Sequence, residues 1–251
     1  MPPVARWRQL QAQQRQIVIL AMEDLLDVAT GPVTPEQLGQ LYQVVVDRYG
    51  SVAAHLAVEA LEDARKTAGR IDLPDPVLSD PLPAAQIEGT YSWASATAAS
   101  RDPEDIARKL AGPLGRLIQQ RARETIWDST AAAGTRYARL PGPKACAFCL
   151  MLASRGAVYT AETVLTTGMS KRGRRGRRPE GLTYHDHCDC VAVESYAADD
   201  LPKLNRDLQE EWIEATWENG RPGNAQWAKW QAYIAETRPN KESAKPEQDT
   251  D

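Results

Sequence analysis

The sequence predicts an α+β chain: a long helical N-terminal region, then a small β-containing Cys/His module, then a C-terminal helical tail. Three observations predict it. Apolar residues recur at helical spacing through residues 4–135. After Gly134 the texture changes to short β-type runs bounded by Pro and Gly. Inside that stretch lie two tight knots, CAFC at 146–149 and HDHCDC at 185–190, which hold every cysteine of the chain and two of its three histidines.

The elements follow in order. Trp7, Leu10, Ile17, Ala21, Leu25 and Val28 mark a first helix that Gly31-Pro32 stops. Thr34-Pro35-Glu36-Gln37 reads as a start signal, with Thr34 as cap, Pro35 in the first helical position and Gln37 closing a capping box. Leu38, Leu41, Val45, Tyr49, Val52 and Leu56 continue one apolar stripe, with a break expected at Gly50 and an end near Gly69, so residues 1–70 form a helical hairpin. His55 falls on the polar flank of that stripe, as a structural or solvated side chain. Four prolines and three aspartates make 71–83 a linker or extended surface loop. Helical patterning resumes near Ala84, pauses at Ser100 and restarts at Asp102-Pro103. Ile106, Leu110, Leu114, Leu117 and Ile118 form the buried face, and Gly112-Pro113 is expected to kink or divide the helix before an alanine-rich run to Gly134.

Residues 136–196 form the module. Residues 137–140 read as a strand, 146–154 as one or two helical turns, 157–159 as a second strand and 183–194 as a third. A further helical segment, 197–236, breaks at 220–223, and the polar remainder, 237–251, is expected to be disordered.

Paired cysteines from two distant stretches can close a tetrahedral metal site. If 183–194 is a strand, Cys188 and Cys190 share one face and His185, His187 and Asp189 the other, which favours a zinc site from Cys146, Cys149, Cys188 and Cys190. A bend at His185 would bring that histidine in as a ligand. Disulfides or redox thiols are the plain alternative, but no secretory signal is evident and disulfides do not persist in a reducing compartment. The same residues also compose a protease set, with Cys146 or Cys149 as nucleophile, His185 or His187 as base, and Asp186 or Asp189 as orienter. Cysteines paired on both sides suit a metal better than a single activated nucleophile. No GxSxG, HExxH or P-loop occurs in the chain.

A net charge of −4 argues against binding nucleic acid through the whole surface, and no apolar run is long enough to span a membrane. Against that background Lys171, Arg172, Arg174, Arg175, Arg177 and Arg178 put six cations into eight residues, interleaved with glycine. That basic loop suits nucleic-acid phosphates or an acidic protein face, or is a solvated insertion between strands. Seven tryptophans and eight tyrosines stand against one phenylalanine, Phe148, and Trp212, Trp217, Trp227 and Trp230 gather near the C-terminus as the edges of a small helical core or as a docking surface.

CAFCLMLASRGAVYT followed by YHDHCDC resembles the signature of the phage Mu F-like minor head (head morphogenesis) proteins, nearest in texture to actinobacteriophage minor capsid proteins often labelled capsid maturation proteases. The matching positions are Cys146, Cys149, Gly156, Tyr159, His185, Cys188 and Cys190. The likeness is specific over 137–193 and general before it. His187 and the basic loop depart from the pattern. The resemblance implies a virion protein, in the capsid interior or at the portal vertex and assembled in the host cytoplasm. Its implied role is in procapsid assembly and in genome packaging or delivery, with the portal protein, other head proteins and packaged DNA as partners and no membrane. A zinc-dependent nucleic-acid-binding protein is a further reading of the same residues.

Overall fold

A computed structural model describes residues 3–143, 145–159, 186, 188, 190–196 and 201–238. Three long helices, α1 (Pro3–Ala29), α2 (Pro35–Thr67) and α4 (Pro103–Ala133), pack pairwise on one another, and α3 (Ala84–Thr97) lies against α2 and α4. Their seams follow from spacing. On α1 the buried residues Trp7, Leu10, Gln14, Ile17, Ala21 and Leu25 recur every three or four positions. On α2 the seam turns to small residues, Ala53, Ala57, Ala60 and Ala64, which let a neighbouring backbone approach closely. The start signal at Thr34 is present as a full capping box with Pro35 in the first turn.

The expected break at Gly50 does not occur, and α4 is not divided at Gly112-Pro113. Both sites are buried, so tertiary packing compensates for the weak local propensity. The glycines are packing devices: a Cβ at Gly50 would sit 3.1 Å from Arg121 Cδ, and one at Gly115 would sit 3.0 Å from Val18 Cγ1.

Residues 71–83 are extended and tied along α4. Ser129 Oγ accepts from the Val77 amide at 2.8 Å, Thr125 Oγ1 accepts from the Ser79 amide at 3.2 Å, and Arg121 Nη2 donates to the Ser79 carbonyl at 2.6 Å. A row of polar side chains on α4, one per turn, thus substitutes for a neighbouring strand.

Strand β1 (Arg136–Leu140) pairs antiparallel with β2 (Val191–Ser195), Arg136 opposite Ser195 and Leu140 opposite Val191. Tyr159 bridges Tyr137 on the free side of β1. Both strands pack on α4, where the Trp127 and Tyr137 rings stack at 6.0 Å. Helix α5 (Ala147–Ala153) follows β1, and α6 (Lys203–Thr216), a two-residue hairpin of β3 (Trp217–Glu218) and β4 (Arg221–Pro222), and α7 (Gln226–Thr237) complete the described chain. Trp230, fully buried, donates from Nε1 to the Ala147 carbonyl at 2.7 Å and lies 5.3 Å from Trp212. Trp230 and Trp227 therefore hold α5, Trp227 meeting Phe148 edge-on, while Trp217 is exposed on β3. The expected tail, apart from residues 237 and 238, lies outside the described residues.

Candidate metal centre

The β1–β2 register explains how cysteines from distant stretches meet. Because Leu140 sits opposite Val191, the segment leaving β1 and the segment entering β2 are neighbours. One carries Cys146 and then Cys149 in the first turn of α5; the other carries Cys188 and Cys190. Arg8 on α1 steadies the junction, donating to the Pro141 carbonyl at 3.0 Å. Asn205 donates to the carbonyls of Arg139 and Ala153 at 2.8 and 3.0 Å, fastening β1 to the end of α5.

The sulfurs of Cys149, Cys188 and Cys190 are buried and lie within 4.8 Å of one another, Cys149 and Cys188 at 3.5 Å. Cys146, half-buried at the N-cap of α5, makes a sulfur hydrogen bond with Cys149. None of the four is in a disulfide. A tetrahedral ion with thiolates at about 2.3 Å holds its sulfurs about 3.8 Å apart. The 3.5 Å between Cys149 and Cys188 is close to that value, and the donor set fits a thiophilic cation.

The electrostatics point the same way. The Cys188 thiol is held well below the ordinary cysteine range by hydrogen bonds from Cys149 and Cys190, with a contribution from the Arg123 charge. Cys149 is pushed well above that range by its hydrogen bonds to Cys146 and Cys188, then by Cys190 and burial. The Gly142 amide hydrogen-bonds the Cys190 sulfur. Thiolates gathered in a buried site repel one another, and a bound cation would offset that repulsion.

The expected strand over 183–194 is described only from Val191; Cys188 and Cys190 precede it, and their sulfurs still converge. His185, His187 and Asp189, together with Lys171, Arg172, Arg174, Arg175, Arg177 and Arg178, lie outside the described residues. Asp186, an expected orienter, pairs with Arg116, whose Nε stands 2.8 Å from its Oδ1.

Sequence reasoning missed the arginines of α4. Arg123, 1% exposed, donates from Nε to the Cys190 carbonyl at 3.1 Å and from Nη2 to the carbonyls of Cys188 and Cys190, both at 2.9 Å. Arg116 and Arg123 are one heptad apart, so they project from the same face of the helix. A charge repeating in phase beside a buried stripe was the available signal.

Among the described residues, no helix is long and apolar enough to cross a membrane. No curated protein and no solved structure matches the chain. The VG15 protein family matches residues 1–217, from the first helix through the cysteine knot and α6. The chain therefore belongs to the VG15 family, a designation that points to a phage gene product.

Proposed function

We propose that the chain is a phage minor capsid protein of the head morphogenesis type. It acts in procapsid assembly and in genome packaging or delivery at the portal vertex, with the portal protein, other head proteins and packaged DNA as partners. The supporting observation is that one family of phage proteins spans both the helical region and the cysteine knot, and that knot matches the Mu F-like signature at Cys146, Cys149, Cys188 and Cys190.

On this reading the knot is a structural clasp. Cys146, Cys149, Cys188 and Cys190 would hold zinc, with His185 the candidate replacement ligand. Zinc, when bound, supplies folding free energy by cross-linking the chain segments before β2 and after β1. The fold prepares the clasp by its strand register, by the Gly142 and Asn205 hydrogen bonds, and by α7 holding α5. Burial speaks against Cys149 as a protease nucleophile. Cys149 is 1% exposed and its sulfur is engaged by other sulfurs rather than facing a cleft.

The test is biochemical. Mass spectrometry of purified procapsids and virions is expected to find the chain at low copy, and deleting its gene is expected to stop head assembly or DNA packaging. A chain absent from both particles, with heads assembling normally without it, overturns the proposal.

A further inference from the structure

We propose that Arg123 is the positioning residue of the cysteine clasp: it sets the backbone of the Cys188–Cys190 segment and offsets the negative charge of the thiolates gathered beside it. The inference rests on the metal reading above and goes beyond it by assigning a determinant of affinity outside the ligand set.

Geometry carries the argument. A CxC pair offers two sulfurs to one ion only if the intervening backbone holds both in one direction. That direction is fixed when the two carbonyls are fixed. The Arg123 guanidinium does this from a single rigid plane, with Nε and Nη2 both on the Cys190 carbonyl and Nη2 also on the Cys188 carbonyl. Gln119, one turn earlier on α4, accepts from the same Nη2 at 2.5 Å and orients the fork. Two turns before Arg123, Arg116 holds Asp186, two residues before Cys188. Helix α4 thus grips the ligand segment at two points.

Charge gives the second part. Four thiolates on a divalent ion leave an excess of negative charge in a buried site, and burying such charge is costly unless a cation or hydrogen bonds compensate it. Arg123, itself fully buried against that segment, supplies a permanent positive charge. Partners that orient ligands in this way are worth about 10–100-fold in metal affinity when removed.

The experiment uses the full chain and its Arg123→Met, Arg123→Lys and Arg116→Gln variants. Zinc affinity is measured by competition with a chromophoric chelator, and the ligand field is read from the absorption of the cobalt(II)-substituted protein. Arg123→Met is expected to bind zinc about 10–100-fold more weakly and to shift the sulfur-to-cobalt charge-transfer band. Arg123→Lys, which keeps the charge and loses the fork, is expected to recover part of the affinity but not the wild-type band. Arg116→Gln, which leaves the cysteine carbonyls alone, is expected to lose less affinity than Arg123→Met. Should Arg123→Met fail to fold, the lysine variant and its zinc-release rate carry the comparison. Wild-type affinity and spectrum in the folded Arg123 variants overturn the role of Arg123 alone. A wild-type chain that takes up no zinc overturns the metal reading together with it.

Discussion

Arg65 of α2 and Glu194 of β2, 129 positions apart, meet as a two-pronged ion pair. Arg65 Nε lies 2.8 Å from Oε2 and Nη2 lies 3.0 Å from Oε1. Both side chains are buried and further engaged: Arg65 also donates to the carbonyls of Pro74 and Ser129, while Thr135 and Tyr196 donate to Glu194. One cluster thereby joins α2, the extended 71–83 segment, α4 and the sheet.

Removing one partner strands the other in a dry site. Glu194→Ala and Arg65→Ala are each expected to destabilise the fold by about 3–5 kcal/mol, and the double variant Arg65→Met/Glu194→Leu by much less than the two single effects added together. Urea denaturation of the four proteins measures the coupling. Additive losses would show that the pair does not act as a unit.

The clasp predicts linked loss of metal and stability. Cys149→Ser and Cys188→Ser are expected to abolish stoichiometric zinc and lower Tm, and a strong chelator is expected to lower the Tm of the wild type but not of the variants. Elemental analysis with differential scanning calorimetry decides it. A wild-type Tm indifferent to the chelator contradicts the clasp.

Trp230 is the anchor of the C-terminal helices on α5. Trp230→Ala is expected to cost about 3–5 kcal/mol, and Trp230→Phe less, since it keeps most of the apolar packing and loses the bond to the Ala147 carbonyl. Because α5 carries Cys149, the alanine variant is also expected to release zinc faster, which a stopped-flow chelator assay reads.

Alkaline pH has a defined sign. Burial raises Tyr42, and burial with the adjacent Glu194 charge raises Tyr196, both above the ordinary tyrosine value of 10.0. Each folded-state pKa lies above its unfolded one. The stability they contribute is therefore complete below pH 10.0 and is lost as pH rises from there through the folded-state values. Unfolding free energies across that window, with Tyr42→Phe as the control that flattens part of the slope, check the expectation.

The basic run at 171–178 predicts a salt signature. If Arg172, Arg174, Arg175, Arg177 and Arg178 bind packaged DNA, affinity for duplex DNA falls steeply with ionic strength, and replacing these arginines by glutamine reduces the salt slope by about one unit for each phosphate left unneutralised. Fluorescence anisotropy at several salt concentrations measures it.

Much of the helical region was legible because its signals are local. Thr34, Pro35 and Gln37 announce a helix start on their own, but the expected stripe of α2 is only partly the buried one: Leu38 and Val45 are buried, Leu41 and Val52 are exposed, and the seam runs on through Ala53, Ala57, Ala60 and Ala64. Gly50 misled because its meaning is tertiary: it makes room for Arg121. At the site, cysteine spacing brought the right residue types together on paper, and the sulfurs of Cys149, Cys188 and Cys190 do converge. The β1–β2 register that brings them there, and Arg123 beneath them, depend on long-range pairings that no short window contains.

The placement of α4 bears on how such genes exchange parts. A crossover near residue 135 would deliver all four cysteines to a new host chain while leaving behind Arg116, Arg123 and the arginine that faces Glu194. Hybrids joined there would inherit ligands without their footing, so recombination among relatives should preserve the stretch from α2 through β2 as one cassette.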